Sequence, residues 1–205
     1  MKNIRKEILV WIRLGSLVII WVGVLLVSNV PLAINWEAIK KLPDVITIYV
    51  FLVLIFTKWA WRFPIFKGWL IPFPDLEGTW KGAIQSTWVD FSNGQKVPAK
   101  AVTLVIKQTF SSISCVMYTA ESDSYSTTAQ INEDDESGVF RLSYNYTNRP
   151  RANVRDGSAI HDGAAILKII LEPDKKLEGE YWTSRKTTGD ISVKFISRKL
   201  TQNFE

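Results

Sequence analysis

Leu76-Glu77-Gly78-Thr79-Trp80-Lys81-Gly82-Ala83-Ile84-Gln85-Ser86-Thr87-Trp88-Val89 is the stretch that decides the fold of this chain. Trp80, Ile84 and Trp88 share one phase of a period-two pattern, and Lys81, Gln85 and Thr87 share the other. Side chains alternate faces along a strand, so the first set faces a core and the second faces water. The stretch reads as the first strand of a sheet that closes around an aromatic face.

C-terminal to it, the pattern repeats without helical periods. Strands are expected at about 78–89, 100–110, 112–120, 124–132, 138–147, 164–172, 177–186 and 190–199. Ser92-Asn93-Gly94, Ser137-Gly138, Pro173-Asp174 and Thr188-Gly189 supply turn chemistry between them. Short, evenly spaced strands predict an eight-stranded antiparallel up-and-down β-barrel, with an open sandwich as the alternative.

N-terminal to it, apolar residues crowd together. Leu14 to Ile34 is an uncharged run long enough to cross a bilayer as a helix, bracketed by Trp11 and Trp36. A cleaved signal peptide is the rival reading, but no clear small-x-small site follows the run. Val45 to Thr57 is a second apolar run, extended to Phe63 if Lys58 and Arg62 snorkel. The two runs predict a membrane α-hairpin of two transmembrane helices.

Lys2, Arg5, Lys6 and Arg13 would share one side with Lys58, Arg62 and Lys67, while Glu37 and Asp44 offset Lys40 and Lys41 in the intervening loop. The positive-inside rule then places both termini in the cytoplasm. Three parts follow: residues 1–63 as the transmembrane region, 64–75 as a proline- and aromatic-rich linker, and 76–205 as a cytoplasmic ligand-sensing barrel.

Average composition decides little, because 47% hydrophobic residues in 205 suit a soluble chain as well. Single residue types decide more. Cys115 is the one cysteine, so no intrachain disulfide forms. His161 is the one histidine, which disfavours a Ser-His-Asp site or a multi-histidine metal site. No phosphate-binding glycine loop, spaced metal ligands or nucleophile motif appears. The chain therefore reads as a binding module that is not an enzyme and needs no cofactor. The net charge of +5 is compatible with an anionic ligand without requiring one.

A meander assigns each strand end to one of two rims. Trp80, Phe110, Ile113, Ile131, Leu171 and Leu177 fall near the rim where the linker enters, the expected membrane side, with the turn Glu133-Asp134-Asp135-Glu136. The far rim gathers Trp88, Tyr118, Tyr125, Thr127, Tyr144, Tyr146, Thr183, Arg185 and Lys186. The loop from Thr147 to Gly163 opens there with Arg149, Arg151, Arg155 and His161.

Parity puts Tyr125, Thr127, Tyr144, Tyr146, Thr183 and Arg185 inward. Rings stack on bases and guanidinium forks pair with phosphates, so this rim suits a base-phosphate ligand. The expected site is Trp88, Tyr125, Tyr144, Tyr146, Arg149, Arg151, Arg155, Thr183 and Arg185. Core filling by the rings and a merely solvated basic loop are the bland readings of the same residues.

Gly78-Thr79-Trp80 resembles the G-x-W signature of lipocalin-like barrels, in which an arginine near the last strand packs over the tryptophan, as Arg198 could here. The whole layout, with LEGTWKG and LEGEYWTSRKTTGDISVKFISRK, resembles the transmembrane β-barrel effectors of bacterial CBASS antiphage systems, the CD-NTase-associated proteins. That resemblance implies a barrel that binds a cyclic oligonucleotide, such as a cyclic dinucleotide, made by a partner CD-NTase. It further implies ligand-induced homo-oligomerisation, disruption of the lipid bilayer at the bacterial inner membrane, and no DNA partner. It carries over no binding residue. A membrane-tethered carrier of an apolar ligand and a structural adaptor with a filled core are the alternatives.

Overall fold

The computed structural model describes residues 6–90, 94–134 and 136–204, with side chains from Val10. Lys2, Arg5, Ser92, Asn93 and Asp135, invoked above for topology and turns, lie outside the described residues. The chain forms two compact units, Lys2–Pro72 and Phe73–Glu205.

In the first unit, α1 (Lys6–Val27) is followed by a short α2 (Trp36–Lys40) and by α3 (Leu42–Lys58). Helix α1 starts and ends earlier than the expected run from Leu14 to Ile34. Asn29 adopts a left-handed φ of 54°, and Val30 N–H reaches back to Leu25 O at 2.9 Å. That bond pattern closes a helix C-terminus, and asparagine tolerates the conformation. Trp11 and Arg13 consequently sit within the helix rather than before it.

Asn35 caps α2 by accepting from Ala38 N–H at 2.8 Å, and Trp21 Nε1 donates to Ala38 O at 3.3 Å. Helices α1 and α3 pack on each other. Val10–Val27 is long and apolar enough to cross a membrane, whereas α3 has 17 residues. One span of that kind therefore stands where two were expected among the described residues.

The second unit is the barrel. Its strands are β1 (Gly78–Ser86), β4 (Lys100–Gln108), β5 (Ile113–Tyr118), β6 (Ser122–Glu133), β7 (Phe140–Pro150), β8 (His161–Ile170), β9 (Lys176–Thr183) and β10 (Thr188–Ser197). Each pairs antiparallel with its sequence neighbour, and β1 pairs with both β4 and β10, closing the barrel. The expected eight-stranded up-and-down barrel is what forms, and the sandwich alternative falls away. Two short strands, β2 (Val89–Asp90) and β3 (Gln95–Lys96), make a separate ribbon between β1 and β4.

One expected turn moves. Thr188 and Gly189 belong to β10, and the reversal lies at Ser184 to Thr187, where Lys186 has φ 61°.

The end of the barrel near Gly78 is filled. Trp80, Leu104, Leu142, Leu167, Leu177 and Val193 are fully buried. Trp80 Nε1 donates to Leu76 O at 3.0 Å, and Phe195 meets the indole edge-on at 5.2 Å between centroids. Gln108, itself buried, accepts from Leu76 N–H at 2.7 Å and donates to Pro74 O at 3.1 Å. These bonds satisfy the polar groups that the plug buries. Arg198 follows the last strand, at the same end of the barrel as Trp80. Its Nη1 reaches Asp75 Oδ2 at 2.7 Å, tying the last strand to the segment before β1.

Candidate functional site

The opposite end of the barrel is open. A cavity of about 470 Å³ lies there, floored by Ile84, Met117 and Ile191 and walled by side chains from six strands and their connections.

Its aromatic wall follows from strand alternation. On β7, Leu142, Tyr144, Tyr146 and Asn148 point to one side and Arg141, Asn145 and Arg149 to the other. Tyr144 and Tyr146 stand 5.9 Å apart between ring centroids. Glycines opposite make room for two of the rings. A Cβ on Gly163 would lie 2.5 Å from both Cζ and the hydroxyl oxygen of Tyr146, and one on Gly189 would lie 2.6 Å from Cε1 of Tyr181. Burial pushes the Tyr144 and Tyr146 phenols well up, with Cys115 and Tyr146 adding to the rise at Tyr144 and Tyr181 to that at Tyr146. Both stay neutral near pH 7 and can donate as well as accept hydrogen bonds.

The rim supplies polar groups and charge. Arg185 sits in the β9–β10 turn, which is held by Thr183 N–H to Thr187 O at 2.9 Å and by the two threonine hydroxyls 2.6 Å apart. Its Nη1 donates to Ser158 Oγ at 2.8 Å. Lys100, at the start of β4, pairs with Glu121 at 2.6 Å. His161 Nδ1 lies 2.8 Å from Ala159 O, which can only accept, so Nδ1 carries a proton and Nε2 faces Asn148 Nδ2 at 3.4 Å. The linkage around this mouth is completed by Gln85 Nε2, which donates to Val97 O at 2.7 Å and anchors the chain after β3.

Of the expected site residues, Trp88, Tyr144, Tyr146, Thr183 and Arg185 line the cavity. Tyr125, Arg149, Arg151 and Arg155 do not. Tyr125 is overturned by a bulge: Ser126 pairs with Tyr146 and Thr128 with Asn145, leaving Thr127 as the extra residue. A bulge reverses the facing of everything beyond it. Ser122 and Ser124 therefore point into the barrel, Tyr125 is exposed, and its hydroxyl donates to Asp123 Oδ2 at 3.4 Å. Thr127, expected inward, is exposed too.

Arg149 lies on the outer face of β7, opposite Asp123. Arg151 and Arg155 follow on the β7–β8 connection, where a turn at Ala152–Val154 leaves both exposed and Arg155 Nη2 donates to Pro150 O at 3.1 Å.

His161, expected on the rim loop, lines the cavity from the start of β8, and parity could have supplied Lys100, Asn148 and Tyr181, which share the phase of buried neighbours on their strands. Nothing in the sequence marks Glu121 as a rim residue. Among the described residues, no cluster of His, Cys, Asp and Glu is placed to hold a metal ion.

Comparison with known proteins agrees with this architecture. Residues 71–194 match the family described as "Cap15, cyclic dinucleotide receptor domain". A Staphylococcus schleiferi protein named CD-NTase-associated protein 15 is 27% identical over 177 residues, 86% of this chain and 90% of that protein. Its namesake from Escherichia albertii is 29% identical over 150 residues, covering 72% of this chain and 73% of the relative. The family match covers more than half of the chain and spans nearly the whole closed barrel. On that evidence, the chain belongs to the Cap15 cyclic dinucleotide receptor domain family, the CD-NTase-associated β-barrel effectors of CBASS.

Proposed function

We propose that the open end of the barrel binds a cyclic dinucleotide. The observation that carries this reading is the coincidence, in one cavity of about 470 Å³, of Trp88, Tyr146 and Tyr181 with Lys100 and Arg185. That volume falls within the range of small-molecule sites. The rings offer faces for two bases, the cations offer partners for two phosphates, and the inward serines, threonines and Asn148 offer hydrogen bonds to ribose and base edges. The relatives' names and the family description support the same ligand class. An apolar cargo fits less well, because Lys100, Glu121 and Arg185 stand at the cavity and would lose water against it.

The protein acts as a receptor rather than an enzyme. In this reading α1 and α3 form a two-pass anchor in the bacterial inner membrane, with both termini cytoplasmic. Val18, Ile19, Val27 and Phe51 are all more than half exposed, which suits a lipid surround. Lys58 over Trp59 at 4.6 Å and Arg62 over Trp61 at 4.9 Å place cation–aromatic pairs just past the second apolar run, as interfacial anchors. Ligand binding promotes self-association of the chain, and the gathered helices disrupt the bilayer. A ligand drives assembly only by binding the assembled form better.

The test is a thermal-shift screen of the full chain in detergent micelles against cyclic di- and trinucleotides and their linear counterparts. A ligand at 100 times its Kd stabilises by about 2.7 kcal/mol, which for a barrel of this size raises Tm by several degrees. A shift with a cyclic dinucleotide and not its linear form supports the reading; no shift with any of them contradicts it.

A further inference from the structure

Among the described residues, Arg185 and Lys100 are the arginine and lysine side chains that line the cavity, and they are held differently. Arg185 donates to the neutral Ser158 hydroxyl at 2.8 Å. Lys100 is held by a charge, Glu121 Oε2, at 2.6 Å. Glu121 is the only carboxylate among the described residues that line the cavity. Its backbone is fixed on both sides: its N–H donates to Thr119 Oγ1 at 3.1 Å, and its carbonyl accepts from Arg151 N–H at 2.8 Å. The carboxylate thus stands in a cavity otherwise furnished for an anionic ligand. Both side chains of the pair are 49% exposed, and such pairs are weakly held and readily exchanged.

We propose that Glu121 occupies the position of a ligand phosphate against Lys100 and competes with it. The inference rests on the reading of the cavity as a cyclic dinucleotide site. One phosphate meets Arg185 without displacing any charge. The other reaches Lys100 only by exchanging with Glu121, which then stays beside it as a like charge. The carboxylate therefore raises the ligand concentration at which the site fills, and gives the receptor a threshold. A residue that merely positioned Lys100 would do the reverse, since its neutralisation would loosen binding.

Titration calorimetry of the full chain in detergent micelles decides between these roles, using cyclic di-AMP, cyclic di-GMP, cyclic di-UMP and cyclic GMP–AMP as probes. The variants are Glu121→Gln and Lys100→Gln, with thermal melts as a check on folding. Glu121→Gln is expected to tighten binding by about two- to fivefold, and Lys100→Gln to weaken it. The gain in Glu121→Gln shrinks at high salt. Equal or weaker binding by Glu121→Gln overturns the competitor role while leaving the site reading intact. Absence of binding by both wild type and Glu121→Gln overturns the site reading and this inference together.

Discussion

Tyr146 and Gly163 face each other across β7 and β8, and the ring of one fills the space that a side chain of the other would take. A Cβ at Gly163 would sit 2.5 Å from the tyrosine ring and 2.7 Å from the Trp182 carbonyl. This pair gives the cavity wall its shape. Gly163→Ala is expected to destabilise the barrel by about 1–3 kcal/mol through overpacking. Adding Tyr146→Ala should recover part of that loss, because the ring is one of the two atom groups in the way. Denaturant melts of the four members of the cycle measure the coupling.

The arginines divide into two groups. Arg185→Ala is expected to weaken cyclic dinucleotide binding by tenfold or more, on the scale of about 1.5–3 kcal/mol for a charged hydrogen bond. Arg149→Ala, Arg151→Ala and Arg155→Ala are expected to change affinity by less than about threefold, the range of surface charge effects. Binding isotherms of the four variants at one salt concentration check the division.

What the sequence shows and what it hides have separate physical causes. Alternation along strands such as β7 and β8 depends on each buried face, so the barrel, its meander order and Tyr144, Tyr146 and Thr183 were readable from spacing alone. The bulge at Thr127 carries no glycine or proline to announce it, so the facing of Tyr125 was lost with it. Gly189 looked like turn chemistry, yet it serves the close approach of Tyr181. Arg149, Arg151 and Arg155 are near the rim in sequence, but an outward strand position and a tight turn direct them away from the cavity. Glu121 is placed by a local bond to Thr119 and by the Arg151 N–H, which the pairing of β6 with β7 brings to it.

Alkaline pH should loosen the barrel through Cys115. Burial pushes its thiol up to about 12 from the ordinary range near 9. A thiol that deprotonates later in the fold than in the unfolded chain supports folding fully below about pH 9, and that support is lost as pH rises toward about 12. The loss is on the order of a few kcal/mol. Tyr144 and Tyr146, also pushed up by burial, act in the same direction above pH 10. Urea melts at pH 8 and pH 10.5 should show a fall in stability that Cys115→Ala reduces.

The filled end and the open end should separate experimentally. Trp80→Phe removes the indole N–H bond to Leu76 O and part of a fully buried ring. It is expected to cost about 1–3 kcal/mol of stability. Because Trp80 does not line the cavity, affinity for a cyclic dinucleotide should be unchanged at a temperature where the variant is folded. Melts and isotherms on the same preparation test both halves.

Whether the cavity is the receptor site is decided by one titration. The full chain in detergent micelles is titrated calorimetrically with the cyclic dinucleotide that gives the largest thermal shift, beside a Tyr146→Ala/Arg185→Ala variant that retains a cooperative melt. Saturable binding by the wild type, weakened by about thirtyfold or more in the double variant, is the predicted result, since base stacking and a charged hydrogen bond each contribute about 1–3 kcal/mol. Equal binding by the two proteins would contradict the account and move the ligand to another surface of the barrel.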